Sequence, residues 1–442
     1  MIGEECRFGV GLRDSHWSRL QLLVVGMCFA VNMLDGMDVL ILSYIAPVLQ
    51  TEWGIGSDRM GVVFSVGILG MATGGFAIAP LADRCGRRPV ILLSLATSTV
   101  AMTLSGFAQG MTQLMVLRLF VGIGIGAVLA SMAALIAEYA PDRDRNFAVG
   151  LLYAGYPLGA ILTGLVSVWA IPTYGWHAVL CGAGVISALM WPVLWLRLPE
   201  SLQFLFARRP ADALSRVNAI LEKLGRPALG ALPAPSEDPA RNSGVRGLFA
   251  DGRATGTLLL WAAMISGFMA LWFIISWIPK LAVLSGLSVT QGIYAGTCFN
   301  VGAFLGTVLL GLIARRLSLQ RVILTFLLGA AVAMFVFGAN RLPPPVVMLM
   351  AILIGVLLQG GVNGVYPLAA RLYPAGVRSM GIGWTTAVGR FGAVLGPSLG
   401  GVLIERKAPL VLTVLIFAIP AALGGLCAAL VTLRTDQGER IP

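Results

Sequence analysis

Long runs of apolar residues recur along the whole chain, and they constrain its fold more than any other feature. An α-helix rises about 1.5 Å per residue, so it needs about 20 apolar residues to cross the ~30 Å hydrocarbon core of a membrane. Runs of this length alternate with charged, proline-rich or glycine-rich segments. The twelve runs lie near residues 20–49, 58–82, 88–109, 112–138, 147–170, 177–197, 254–279, 289–313, 321–339, 346–369, 383–404 and 408–433. The sequence therefore predicts an all-α membrane protein with twelve transmembrane helices.

The composition excludes an ordinary soluble protein. Of the 442 residues, 57% are hydrophobic and only 12% are charged. The net charge of +11 does not indicate a nucleic-acid site, because with the N-terminus in the cytoplasm 24 of the 31 Lys and Arg fall in inside segments, five outside and two within spans. This bias predicts that both termini face the cytoplasm. We expect a multi-pass protein of the bacterial cytoplasmic (inner) membrane, functional as a monomer, whose partner is the lipid bilayer and not a nucleic acid.

Two motifs repeat at nearly the same interval. The segment "APLADRCGRRPV" follows the second run, and "GLIARRLSLQRV" follows the eighth. Asp83 and Arg315 are 232 positions apart, and Tyr139 and Tyr373 are 234 apart, so the chain is predicted to consist of two six-helix halves. We place the N-terminal half at residues 1–197, a cytoplasmic linker at 198–253 and the C-terminal half at 254–442.

The linker combines a helical pattern with a stretch of loop composition. Its apolar residues Leu214, Val217, Leu221 and Leu224 have helical spacing, which predicts a helix on the cytoplasmic surface, with a partner-binding role as the alternative. The following "PALGALPAPSEDPARNSG" is typical of a flexible connection.

These motifs carry a family resemblance that covers the whole chain apart from the central linker. "APLADRCGRRP" resembles the signature between spans 2 and 3 of the major facilitator superfamily, and "RLFVGIGIG", which begins at Arg118, resembles its span 4 motif. "DGMD", "EYAP" and "GRFGAVLGP" are similar to the aromatic acid:proton symporter family, whose members carry benzoate-type and hydroxybenzoate-type anions. The resemblance implies the pseudo-symmetric major facilitator fold and a role for Arg118 in proton coupling. At Leu129–Ser131 the chain departs from a Pro-Asn pair found in many such carriers, which leaves an aliphatic dicarboxylate open as the substrate.

Asp35 and Asp38 are the two acidic residues that lie well inside a predicted span. A charge at the centre of a bilayer costs at least ~2.5 to 3.5 kcal/mol, so such residues indicate a function. Together with Asn32 they are spaced by three, which places them along one helix face. Two carboxylates this close favour reversible proton binding. The alternative is a permanent ion pair, for example with Arg118.

The C-terminal half offers the opposite charge. Arg390 lies about seven residues into span 11, and its planar guanidinium matches a carboxylate, so we predict that it receives an organic anion. A helix-to-helix hydrogen bond is the alternative for Arg390. Polar and aromatic residues nearby are candidates for the same site, although interhelical bonding or ordinary packing explains them as well; they are Gln359, Asn363, Tyr366, Trp384 and Asn32.

Charged residues at the cytoplasmic helix ends are candidates for a gate. They are Asp83, Arg84, Arg87, Arg88, Glu138 and Arg145. The resemblance implies that they form charge networks that hold the inner side closed. Without the resemblance, the pattern indicates only the excess of positive charge that is typical of cytoplasmic loops.

The sequence thus predicts a proton-coupled importer of an organic, aromatic carboxylate that works by alternating access. The alternatives are an importer of a ring-cleavage dicarboxylate and a proton-coupled drug or metabolite efflux antiporter. No catalytic set is recognisable and the six cysteines lack metal-ligand spacing, so we expect neither an enzyme nor a cofactor or metal site.

Overall fold

The computed structural model describes residues 17–232, 245–250, 252–339, 342–374, 377–434 and 440–441. Helices account for nearly all of its regular structure. The N-terminal half contains α1 (Arg19–Trp53), α2 (Ser57–Thr73), α3 (Ala82–Cys85), α4 (Arg87–Ser105), α5 (Met111–Tyr139) and α6 (Arg145–Arg197). After it come α7 (Leu202–Arg208), α8 (Ala213–Lys223), α9 (Ala254–Leu284), α10 (Val289–Ile313), α11 (Leu319–Ala339), α12 (Pro344–Leu372), α13 (Arg378–Glu405) and α14 (Leu410–Ala429).

The number of spans agrees with the prediction once α6 is divided. Within the described residues, eleven helices are long and apolar enough to cross a membrane. One of them, α6, contains two predicted spans, which meet at Gly175, where the backbone leaves the helical region (φ 77°, ψ 169°). This positive φ is readily adopted by glycine, which has no Cβ. The fold is therefore an all-helical membrane protein with twelve spans.

Several helix ends are fixed by local sequence. Ser18 and Gln21 form a capping box at the start of α1, and Ser288 and Gln291 form another at the start of α10. Gly54 ends α1 in the left-handed conformation (φ 63°). Beyond Thr73, α2 continues through a π-helical segment, Gly74–Ile78, and a 3₁₀ turn, Ala79–Leu81, so its polar end is less regular than the predicted span.

The same helix pairs form in both halves. In the N-terminal half, the first part of α6 packs on α1 and α2 packs on α5. The corresponding pairs of the C-terminal half are α13 on α9 and α10 on α12. The second part of α6 packs on α4 as α14 packs on α11. This correspondence is the pseudo-symmetry that the sequence repeats predicted.

Three groups of hydrogen bonds join the two halves toward the predicted outer end of the bundle. The Ser57 backbone N–H, at the start of α2, donates to Glu405 Oε2 (2.6 Å). The Ser65 hydroxyl lies 2.6 Å from the Val394 carbonyl oxygen and 2.7 Å from the Ser398 hydroxyl. In addition, the Ser43 hydroxyl lies 3.0 and 2.8 Å from the carbonyl oxygens of residues 275 and 276 on α9.

The segment between the halves contains the predicted surface helix. In α8, Val217 and Leu221 are fully buried and pack in one apolar cluster with residues of α1 and α7. Residues 233–244, most of the loop-like stretch, lie outside the described residues, as does Cys6. Near the C-terminus, Leu433–Arg434 pairs with Arg440–Ile441 as a two-residue antiparallel ladder, which was not predicted.

Candidate functional site

Asp35 and Asp38 are buried in the middle of α1, with side chains 4% and 3% exposed. Gly36 allows α6 to approach, because a Cβ atom there would collide with the backbone carbonyl of Tyr156. Oδ2 of Asp35 and Oδ1 of Asp38 have no hydrogen-bond partner among the described residues. Buried polar atoms are normally paired, so these two oxygens require an explanation such as a proton, a water molecule or a ligand.

Arg118 lies beside Asp38 without forming an ion pair to it. Its Nη2 donates to the Ser105 hydroxyl (2.7 Å), and its Nη1 makes a long contact to the backbone carbonyl of Asp38 (3.5 Å). Within the described residues no carboxylate oxygen lies within 4 Å of it. A cavity of about 40 Å³, lined in part by Asp38, Arg118 and Trp272, occupies the adjoining space. A cavity of this size has room for one or a few water molecules, which makes a solvent-separated pair possible.

Arg390, on α13, faces the N-terminal half. Its Nη1 makes a weak contact to the Met71 sulfur of α2 (3.4 Å), and its guanidinium carbon lies 6.0 Å from the Phe268 ring centroid and 5.8 Å from that of Trp272. It also interacts electrostatically with Tyr366 of α12 and Tyr156 of α6. No carboxylate oxygen of the described chain lies within 4 Å of it. The group is therefore a cation between the halves, with aromatic neighbours and with no anionic partner from those residues.

The polar stripe on α12 is partly used within the C-terminal half. Gln359 Nε2 donates to Asn363 Oδ1 (3.0 Å), and Asn363 Nδ2 donates to the Thr307 hydroxyl of α10 (2.8 Å). Tyr366, one turn further along α12, is the member of the stripe that interacts with Arg390. Asn363 thus joins α12 to α10 and Gln359 bonds to it along α12, while Tyr366 is near enough to Arg390 to interact electrostatically.

Trp384 and Asn32 occupy different surroundings from Arg390. The Trp384 ring stacks on Trp261 (centroids 6.1 Å apart) and meets Phe76, in the π-helical segment after α2, edge to face (6.2 Å). It is part of an aromatic cluster toward the predicted inner end. Asn32 is 2% exposed, and its Nδ2 donates to the Leu152 carbonyl of α6 (2.6 Å). That hydrogen bond holds α6 against α1 next to the two aspartates.

The candidate gate residues surround the inner ends of α4 and α5. Arg87, at the start of α4, forms an ion pair with Glu138, at the end of α5. The Ser201 hydroxyl donates to the other Glu138 oxygen (2.7 Å). Of the other candidates, the Arg88 guanidinium lies 5.6 Å from the Trp195 ring centroid, whereas Asp83, Arg84 and Arg145 are exposed. The contacts named here connect helices of the N-terminal half and the chain that follows it.

Glu200 is a residue of this network that the sequence did not single out. It is 5% exposed, and its Oε1 accepts the backbone N–H groups of Arg87 (2.8 Å) and Arg88 (3.1 Å). The residue before α4 is Gly86, which has no side chain to cap the helix, so the carboxylate from beyond α6 takes that role. The sequence signal that could have indicated such an acidic partner is a helix that begins with two arginines and has no capping side chain of its own.

Comparison with known proteins identifies the family. The family model described as Major Facilitator Superfamily matches residues 28–364 and 260–442. The gallate transporter of Pseudomonas putida is 33% identical over 405 residues, covering 91% of this chain and 89% of the relative. A 4-hydroxybenzoate transporter of the same organism, PcaK, is 34% identical over 410 residues, covering 92% and 91%.

The fold is also found in solved structures. A partially occluded, inward-open structure of the xylose transporter XylE from E. coli has a TM-score of 0.73 at 15% identity, with 92% of this chain and 98% of that one covered. An inward-facing bacterial homologue of the lysosomal transporter Spinster has a TM-score of 0.68 at 19% identity, with 93% and 98% covered. The chain therefore belongs to the major facilitator superfamily, where it groups with the carriers of aromatic acids, and it is a multi-pass membrane protein.

Proposed function

We propose that this protein imports an aromatic carboxylate together with protons by alternating access. The observation that carries the proposal is the placement of Arg390, a cation without a carboxylate partner among the described residues, facing the half that holds the buried carboxylates of Asp35 and Asp38. A partly buried charge within a membrane span favours a counter-charge or a ligand as its partner. The described residues place no carboxylate oxygen within 4 Å of Arg390, so the substrate is the natural partner.

The surroundings of Arg390 suit a flat ring that carries a carboxylate. The guanidinium offers parallel N–H donors to both carboxylate oxygens, and Phe268 and Trp272 provide aromatic surface within about 6 Å of its carbon. Curated relatives transport gallate, 4-hydroxybenzoate and benzoate. This agreement favours an aromatic acid over the aliphatic dicarboxylate.

Asp35 and Asp38 are the proposed proton carriers. Both are buried, each has an oxygen without a hydrogen-bond partner among the described residues, and the described part of the C-terminal half has one acidic residue, Glu405 at the end of α13. Protonation of this pair and binding of the anion at Arg390 neutralise the carboxylates and the guanidinium within the membrane. The loaded carrier can then exchange its inner closure for an outer one with less desolvation of charge.

The decisive experiment is uptake by the purified full-length chain in proteoliposomes under an imposed pH gradient. With the outside acidic, we expect 4-hydroxybenzoate and gallate to accumulate and the neutral analogue benzamide to remain at equilibrium. If one proton accompanies one monovalent anion, a difference of one pH unit supports about tenfold accumulation. Muconate tests the dicarboxylate alternative. Accumulation only with the gradient reversed would indicate antiport and would refute the proposal.

A further inference from the structure

Tyr156 lies between the two charged centres of the proposed site. Its backbone carbonyl on α6 lies directly against Gly36 of α1, which a side chain at that position would prevent. Arg390 of the C-terminal half and Asp35 are near enough to influence the hydroxyl group of Tyr156 electrostatically. Backbone packing thus fixes the main chain of Tyr156 against α1 next to Asp35, and the guanidinium of the other half lies in the surroundings of its side chain.

The Tyr156 hydroxyl is buried and has no hydrogen-bond partner among the described residues. The nearby Tyr44 is different, because its hydroxyl donates to the Ala160 carbonyl oxygen of the same helix α6 (3.2 Å). Buried tyrosine hydroxyls normally find such a partner. An O–H donor without a partner among the described residues is therefore close enough for electrostatic interaction with an arginine that also lacks an anionic partner there, and the two come from opposite halves.

We infer that the Tyr156 hydroxyl donates a hydrogen bond to the carboxylate of the anion bound at Arg390, so that the substrate connects the two halves. This inference rests on the proposed function and adds to it a residue that positions the substrate. A hydrogen bond to an ionised acceptor is about twice as strong as one between neutral groups.

The position of Tyr156 also suggests how the two ligands influence each other. The hydroxyl makes no hydrogen bond to Asp35 in this structure, but Asp35 is near enough to interact with it electrostatically. One hydroxyl proton can be donated to one acceptor at a time, so an ionised Asp35 would compete with the substrate for it, and protonation of Asp35 would remove that competition. Proton binding therefore favours substrate binding, and the converse holds by linkage.

The test is the Tyr156→Phe variant of the full-length chain, which removes one oxygen atom. Its matched control is Tyr174→Phe, on the same helix, where the side chain is 60% exposed and meets Trp169 edge to face. Equilibrium binding of 4-hydroxybenzoate is measured for both and for the wild type between pH 5 and 8. We expect Tyr156→Phe to raise Kd about tenfold or more and to flatten its pH dependence, because a charged hydrogen bond is lost. Tyr174→Phe should match the wild type.

Thermal unfolding without substrate separates a binding role from a structural one. Since the hydroxyl has no partner in the described protein, Tyr156→Phe should unfold at the wild-type temperature or slightly above it. Wild-type affinity in Tyr156→Phe, or weaker binding accompanied by an equally marked loss of stability, would overturn the inference. In the first case, sensitivity of the same binding to Arg390→Lys would leave the proposed function standing. Absence of any binding by the wild type would refute the proposed function itself.

Discussion

Replacement of Arg390 by lysine tests the anion site most directly, since it keeps the charge and removes the planar fork. Among the described residues, the one hydrogen-bond contact of the guanidinium is a weak 3.4 Å contact to the Met71 sulfur, so its N–H donors can bind both oxygens of a carboxylate. Lysine can bind as a point charge, but it loses at least one of these two charge-assisted hydrogen bonds. Each such bond contributes about 1.5–3 kcal/mol, so the dissociation constant should rise about 10- to 150-fold.

The assay is equilibrium binding of 4-hydroxybenzoate to the purified protein, with the neutral analogue benzamide measured in parallel. Arg371→Lys is a matched control, because Arg371 is exposed at the end of α12. We expect the control to bind as the wild type does. An unchanged Kd in Arg390→Lys, with the protein folded, would show that the guanidinium does not form two hydrogen bonds to the carboxylate. Equal weakening of any benzamide binding would indicate a general distortion of the site.

Three further substitutions test neighbouring parts of the molecule. Asp35→Asn should abolish accumulation driven by a pH gradient and spare exchange of substrate across the membrane; full proton-coupled uptake would remove its proposed role. Gly36→Ala should lower the free energy of unfolding by about 1–3 kcal/mol, because the new methyl group would collide with the backbone of α6. Gly26 has open space around it, so Gly26→Ala should leave the free energy of unfolding unchanged; thermal unfolding of both variants tests this. Glu138→Gln, which removes an ion pair at the inner end, should change the transport rate more than Kd, and the reverse pattern would exclude a gating role.

The fold was largely predictable because membrane spans leave strong traces in a sequence. Each span needs a long apolar run, and the repeated landmarks revealed the two halves. The boundary between spans 5 and 6 behaved differently from the other boundaries, because a kink at Gly175 separates the two helices in place of a loop. The prediction of twelve spans held because it depended on apolar length, which a local change of backbone direction does not alter.

The charged residues of the candidate site could be proposed from the sequence, but their neighbours could not. Asp35, Asp38 and Arg390 stood out because ionisable residues within spans are rare and expensive. Their partners did not, because a partner depends on the rotation of each helix about its axis. Arg118 contacts the backbone of Asp38 and not its carboxylate, and Asn363 donates to Thr307. Such details are decided by packing between distant segments.

Glu200 and Glu405 show the same limit at the helix ends. Each lies just after the end of a predicted span, where an acidic residue is expected to be an ordinary surface residue. In the folded chain each accepts backbone N–H groups at the start of a distant helix, Glu200 on α4 and Glu405 on α2. The helix start supplies orphan donors and a partial positive charge, and only the three-dimensional arrangement shows which carboxylate meets them.

The bond made by Glu405 also bears on how the carrier changes state. It joins the halves near the predicted outer end, together with the hydrogen bonds of Ser43 and Ser65 and an edge-to-face contact between Phe64 and Trp277 (centroids 5.3 Å apart). Each of these contacts contributes about 0.5–1.5 kcal/mol, so together they amount to about 2–6 kcal/mol. Binding with a dissociation constant between 1 mM and 1 µM releases about 4–8 kcal/mol. A small anion and its proton thus carry free energy on the same scale as these specific contacts. The ligands shift the balance between the open and the closed outer end only by favouring one state over the other, and we propose that Arg390 and Tyr156, which belong to opposite halves and interact electrostatically, supply that preference.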